Sequence, residues 1–471
     1  MSNQARNSLL LLFFILLLLT SLACQAVFSV WQSPPTLTLL PSQTQLTLTN
    51  TSTNTPSSTP LPTLTPTPTL SLSPTPLPPS PTNTLAPDPT EVAHQLQVFE
   101  QLWEIIDENY LYPDFNGLDW NAVHAEYTLR IENGLSEADF YNSMQEMVTS
   151  LGDEHSVYFS PDEAAAADTE FAGAFDYAGI GVFSIVAPEC ECLSIILVFP
   201  DSPAEEAGLR AHDNILTVDG QPILDEKGTR RDLLRGPEGT SLTVGVRSPG
   251  QTPRQVEITR RHITASLPVP HQILITPQGK RTGYLLLPTF NETDIDEHVQ
   301  QALADLNASG TLDGVILDNR HNGGGSSEVF SNILAYFTQG LVGYFIDRQG
   351  ERPLTLTGKD LYGSQRIPLV VLVGPDTASF GEIFSGILKD IGRAYVIGEQ
   401  TMGNVEILYI YNLFDGSRAL IAQATFRPLN HPEQDWEQTG ITPDLSIPVD
   451  WASVTLDSDP AVQAALSHFD Q

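Results

Sequence analysis

Ser379 lies where an apolar run turns into a helix. Residues 369–373 are Leu-Val-Val-Leu-Val, a short buried-strand pattern, and Gly374, Pro375 and Asp376 make a turn. Phe380, Ile383, Phe384, Ile387, Leu388 and Ile391 then recur at helical spacing until Gly392. A helix N-terminus presents N–H groups and partial positive charge, which suits a serine nucleophile whose attack creates an oxyanion. A plain alternative stands beside this reading. Ser379-x-x-Glu382 fits a capping box, so Ser379 could simply cap its helix. Two more stretches concentrate reactive groups. Residues 151–161 form a turn that carries His155, and residues 317–325 end a strand with Arg320, His321 and three glycines, Gly323, Gly324 and Gly325.

The elements that must position these groups fall into three blocks. Residues 91–168 are helical, with segments expected at 92–112, 120–131 and 137–151 before the His155 turn. Residues 169–263 are β-rich, with strands at 192–199, 213–219, 241–247 and 255–260, a short capped helix at 201–209 and a helix at 229–234. Residues 264–452 alternate strand and helix, and 453–471 remain as a C-terminal tail. The fold class is therefore multidomain, α+β with an α/β core.

The chain has 57 acidic and 22 basic residues, a net charge of −35, which argues against nucleic acid as a partner. Residues 1–31 read as a targeting segment, with Arg6 ahead of an apolar run at 9–19. Three outcomes stay open: a lipobox-like site with lipidation at Cys24, ordinary cleavage after Ser21-x-Ala23, or a retained helix at 9–31 anchoring the chain to the membrane. Each places the remainder outside the cytoplasm. Residues 32–90 are dominated by Thr, Pro, Ser and Leu and expected to be an extended spacer, reaching up to ~180 Å at about 3.1 Å per residue. Cys190 and Cys192 have one residue between them. They are expected to be small apolar residues rather than a disulfide. No metal or organic cofactor is implied.

Residues 177–182, Tyr-Ala-Gly-Ile-Gly-Val, with 202–209, Asp213 to Leu216, Val218-Asp-Gly220 and 234–239, resemble a PDZ domain of the protease-associated kind. His212 stands where Gly is usual. The resemblance implies capture of C-terminal peptides by strand addition, with Gly179, Ile180 and Gly181 at the carboxylate. A folded module without peptide affinity is the alternative.

Five motifs in order extend the likeness: LGDEHS, the PDZ block, LDNRHNGGG, the stretch from Val371 to Thr401, and GITPD. Together they resemble the carboxyl-terminal processing (tail-specific) serine proteases and the tricorn core, with a ClpP/crotonase-like αβ fold. The resemblance implies an extracytoplasmic serine endopeptidase cleaving proteins or peptides, with Ser379 as nucleophile. One departure matters. The family's Lys base is replaced by Asn404, and Leu408 stands at the family Gln. Lys389, ten residues along the helix, is about 15 Å away and too far for proton transfer. The tricorn-type members use a His and a Glu, which implies His155 as base and Glu437 as its partner, in place of the Ser/Lys dyad. Oxyanion donors would be the N–H groups of Phe380 and Gly324. Plainer readings make His155 a loop anchor and Glu437 a surface charge. His321 is a second base candidate, while Arg320 and Asp390 read as loop anchors. Loss of the Lys also leaves open a catalytically inactive peptide- or ligand-binding homologue, as in the retinoid-binding relatives.

Overall fold

The computed structural model describes residues 87–471, apart from residues 154, 173–176 and 265. The targeting segment, Cys24 and nearly all of the Pro-rich spacer lie outside the described residues. Among the described residues no helix is long and apolar enough to cross a membrane.

Helix α1 (Pro89–Asn109) starts one turn earlier than its apolar pattern predicts. Asp88 accepts the Thr90 N–H, and Pro89 takes a first-turn position that needs no donor. Asp119 and Ser136 cap α2 (Trp120–Glu132) and α3 (Glu137–Thr149) in the same way. These helices do not close a core alone. Phe99, Leu102, Met144 and Met147 pack with Leu420, Ile421 and Ala422 of strand β18 (Arg418–Pro428). Strand β1 (Val157–Phe159) pairs antiparallel with β18, Val157 opposite Leu420. That pairing ties the turn carrying His155 to the body of the protein. A further helix, α4 (Pro161–Ala172), follows it.

The β-rich block is one sheet ordered β3 (Val182–Ala187), β4 (Cys192–Val198), β5 (Asn214–Val218), β7 (Ser241–Arg247) and β8 (Arg254–Thr259), with β6 (Gln221–Pro222) beside β5. A two-stranded piece joins β2 (Tyr177–Gly179) to β9 (Arg261–Ile263). Strand β3 lies at the sheet edge. Helix α5 (Pro203–Glu206) is capped by Ser202.

Two expectations fail here. Residues 229–234 are not a helix. Partners outside the segment hold its backbone in another course. The Thr229 N–H donates to Asp225, the Arg231 N–H to Ile223, and Arg260 donates to the carbonyls of Leu233 and Leu234. Cys190 and Cys192 are joined as a disulfide, Cα atoms 5.2 Å apart. Glu191 between them is left-handed at φ 50°, which folds the hairpin turn back enough for their side chains to meet.

In the αβ core the sheet order is β10 (His271–Ile275), β11 (Arg281–Leu286), β12 (Gly314–Asp318), β15 (Leu369–Val373), β16 (Tyr395–Gly398) and β19 (Leu445–Ser446). From β11 onwards the pairings are parallel. Strand β15 is buried throughout, as a strand covered on both faces requires. Helices α6 (Ile295–Ala308), α7 (Ser327–Phe337) and α8 (Phe380–Asp390) share this core. A hairpin of β13 (Gly340–Asp347) and β14 (Gly350–Leu356) joins β18, which also pairs with β17 (Ile407–Asn412) as well as β1. Helix α9 (Trp436–Thr439) is one turn long.

Residues 453–471 are not a free tail. They hold helix α10 (Pro460–Phe469), whose Ala461, Val462, Ala465 and Leu466 are buried in the core. Its cap, Asp459, is fully buried and pairs with Arg320 at 2.6 Å. Trp451, just before, stacks on His212 at 4.1 Å and meets His321 edge-on at 4.6 Å. The PDZ sheet and the loop after β12 are thus in contact through one indole.

Candidate active site

Strands β12 and β15 are parallel neighbours, so the loops leaving their carboxyl ends emerge side by side. One carries the three glycines and the other Ser379. Thr377 joins them, donating its hydroxyl to the carbonyl of Asn319 at 3.0 Å.

Ser379 has φ 53° and ψ −128°, a region that residues with a Cβ rarely occupy. Its N–H is held by the carbonyl of Asn404 at 2.6 Å. The capping-box reading fails, since the Ser379 side chain makes no cap hydrogen bond. Glu382 turns instead to the 401–404 loop. Its carboxylate accepts the Thr401 hydroxyl, the Gly403 N–H at 2.9 Å and the Asn404 N–H at 2.7 Å. Burial pushes this carboxyl up to about 7, against the pull of those three donors. The plain role assigned to Ser379 is therefore unfilled, and its hydroxyl makes no hydrogen bond among the described residues.

Gly324 sits against this turn with φ +93°. A Cβ there would lie 2.8 Å from both the Phe380 nitrogen and the Ser379 Cβ, so only glycine allows the approach. The Gly324 N–H, expected to be an oxyanion donor, is engaged by Asn322 Oδ1 at 2.9 Å. The buried Asn322 side chain is held in turn by Asn319.

His155 and Glu437 come together. Nε2 of His155 lies 2.5 Å from Glu437 Oε1, with both side chains largely shielded. Glu437 is no ordinary surface charge. Its second oxygen accepts the Val405 N–H at 2.6 Å and the Glu406 N–H at 2.9 Å. Asp153 fixes the turn from below, accepting the N–H groups of His155 and Ser156. Burial lowers the affinity of the His155 ring for a proton. The hydrogen bond and charge of Glu437, with Glu406 and Asp153, outweigh burial and raise it above 6.5. With Nε2 engaged, Nδ1 is the nitrogen left to take a proton. Ser379 and His155 are not hydrogen-bonded to each other.

The two halves meet in residues 403–406. Gly403 and Asn404 donate to Glu382, Val405 and Glu406 donate to Glu437, and the Asn404 carbonyl holds the Ser379 N–H. Residues 403–406 are a backbone bridge between the two carboxylates.

Sequence reading passed over Glu406, two residues beyond Asn404. Its carboxyl is buried, accepts the Tyr112 hydroxyl, and is pushed up to about 8, first by burial and then by Glu437. Only its closeness to Asn404 could have marked it. His321 donates its Nδ1–H to the Asp376 carboxylate at 2.9 Å and packs on Trp451, forming a second His–carboxylate pair. Lys389 is engaged by Thr442 and Asp444. Arg320 and Asp390 anchor loops, the first between Asp318 and Asp459, the second holding Asn430 and His431. In the PDZ block Ile180 is buried, and the carbonyls of Ile180 and Gly181 accept the N–H groups of Ala204 and Phe199.

Comparison with known proteins bears on the family and its domains. Residues 281–447 match the peptidase family S41 model, 92–149 the tricorn protease C1 domain and 195–248 a PDZ domain. The carboxyl-terminal-processing protease of Synechocystis sp. is 31% identical over 389 residues, covering 81% of this chain and 88% of that protein. The carboxy-terminal processing protease CtpB of Bacillus subtilis is 27% identical over 335 residues, 70% of this chain and 66% of that one. The solved structure of a photosystem II D1 C-terminal processing protease is 29% identical, with a TM-score of 0.53 over 75% of this chain and 93% of that one. The chain belongs to the carboxyl-terminal-processing protease family and is a serine-type peptidase with a PDZ domain.

Proposed function

We propose that this peptidase cuts peptide bonds with Ser379 as nucleophile, His155 as general base through Nδ1, and Glu437 as the group that orients the ring and stabilises its charged form. The observation that carries this reading is the His155–Glu437 pair at 2.5 Å, linked through Val405 and Asn404 to the Ser379 amide. A neutral imidazole takes the Ser379 proton as the hydroxyl attacks, and returns it to the leaving amine. The oxyanion forms beside the Phe380 N–H and Gly324. Gly324 contributes its own N–H once that group leaves Asn322. Closure of the gap between Ser379 and His155 accompanies substrate binding, as apo sites often tighten.

The PDZ domain presents substrate C-termini along the open edge of β3, with Gly179, Ile180 and Gly181 at the carboxylate. The protein works outside the cytoplasm, held to the membrane by its N-terminal segment with Cys24 as the lipidation position. Growth with an alkyne fatty acid should label the protein but not its Cys24→Ala variant.

A fluorophosphonate probe tests the site. Labelling of the native chain, absent in Ser379→Ala and lost in His155→Ala, is expected. Labelling unchanged in His155→Ala but lost in His321→Ala would move the base to His321. A native chain that resists the probe, while Asn404→Lys accepts it, would favour the binding homologue.

A further inference from the structure

The group around His155 contains one carboxyl more than a Ser–His–carboxylate site uses. Glu406 is 4% exposed, and its Oε2 is buried without a hydrogen-bond partner. A buried acceptor left unmatched costs on the order of 1–3 kcal/mol, so a species that satisfies it is favoured. One donor atom each from His155, Glu406 and Glu437 lies within 4.8 Å of the others. An imidazole nitrogen and two carboxylate oxygens are a ligand set for a tetrahedral Zn²⁺ with one open position, at about 2.0–2.2 Å per bond.

The surroundings fit such an ion. The Val405 and Glu406 N–H groups fix one Glu437 oxygen, leaving Oε1 as donor. The Tyr112 hydroxyl orients Glu406 from behind. Donors on a tetrahedral ion sit roughly 3.4 Å apart. His155 Nε2 and Glu437 Oε1, now at 2.5 Å, need to part by only about 1 Å. Their side chains, 14% and 15% exposed, leave an opening for the ion and a water.

We propose that His155, Glu406 and Glu437 form an inhibitory site for Zn²⁺ or a similar divalent transition-metal ion. With the Nε2 lone pair on the metal, the ring proton must sit on Nδ1. Nδ1 then has no lone pair with which to take the Ser379 proton. The inhibitory half rests on the reading of His155 as base; the binding half does not.

Equilibrium dialysis of the chelator-stripped full chain against Zn²⁺ tests binding. One ion per chain is expected for the native protein and for Ser379→Ala, with at least tenfold weaker binding in the near-isosteric Glu406→Gln. Absorption of bound Co²⁺ in the native protein and Ser379→Ala reports a tetrahedral site even if Glu406→Gln does not fold. No stoichiometric ion, or equal affinity in Glu406→Gln, overturns the site. In parallel, Zn²⁺ should slow fluorophosphonate labelling at least tenfold, reversibly with chelator. One bound ion with undiminished labelling would overturn the inhibition and His155's role as base, and leave the binding standing.

Discussion

His155 and Glu437 are 282 residues apart in the chain and meet at 2.5 Å, Nε2 to Oε1. Pairing of β1 with β18 brings the first, and the one-turn helix α9 brings the second. The amides of Val405 and Glu406 then clamp the carboxylate from its other oxygen.

Replacing Glu437 with Gln keeps the shape but removes the charge that orients the ring. Fluorophosphonate labelling of Ser379 should slow by roughly 10²–10⁴-fold with the fold intact, as judged by an unchanged circular dichroism spectrum. A loss under threefold would argue that Glu437 does not serve the base.

Labelling should depend on pH through His155. The neutral ring is the active form, and Glu437 raises its proton affinity despite burial. In chelator-treated protein the rate should therefore climb through a midpoint above 6.5. In Glu437→Gln burial dominates, so the midpoint should fall. Second-order labelling rates from pH 5 to 9 measure both.

Gly324→Ala places a methyl 2.8 Å from the Phe380 nitrogen and the Ser379 Cβ. It should cut labelling by at least about 10²-fold, with some loss of melting temperature but an unchanged circular dichroism spectrum in the folded protein, because the displaced groups are those that would hold the oxyanion. Equal labelling in the variant would remove the glycine loop from the site.

Glu292 is a buried carboxyl outside the proposed chemistry, pushed up from 4.5 to about 7 chiefly by burial. Folding favours its protonated form. Its stabilising effect is therefore complete below pH 4.5 and lost as pH rises to 7, by about 3 kcal/mol in all. Glu292→Gln does not ionise, so its stability relative to the native chain should improve over that window and level off above it. Urea unfolding at pH 5 and pH 8 tests this; an identical difference at both values would contradict it.

Local patterns made much of the fold legible. The strands at Leu369–Val373 and Ser241–Arg247 are where their apolar patterns put them, because a buried strand needs only its own side chains to declare itself. Boundaries failed where partners from elsewhere intervened. Ile223 and Arg260 hold residues 229–234 in a non-helical course, and the cap of α10 is buried through Arg320. The disulfide between Cys190 and Cys192 depends on a left-handed Glu191 that spacing does not reveal.

The sequence by itself determined the order of the motifs and the strand–turn–helix around Ser379, since each is written in adjacent residues. Only the tertiary structure decided that Glu382 leaves Ser379 uncapped and holds the 401–404 loop, that Glu437 meets His155, and that Glu406 is buried beside them. Those facts depend on which side chains long loop closures bring within about 3 Å, and on how much water the packing removes from their carboxylates.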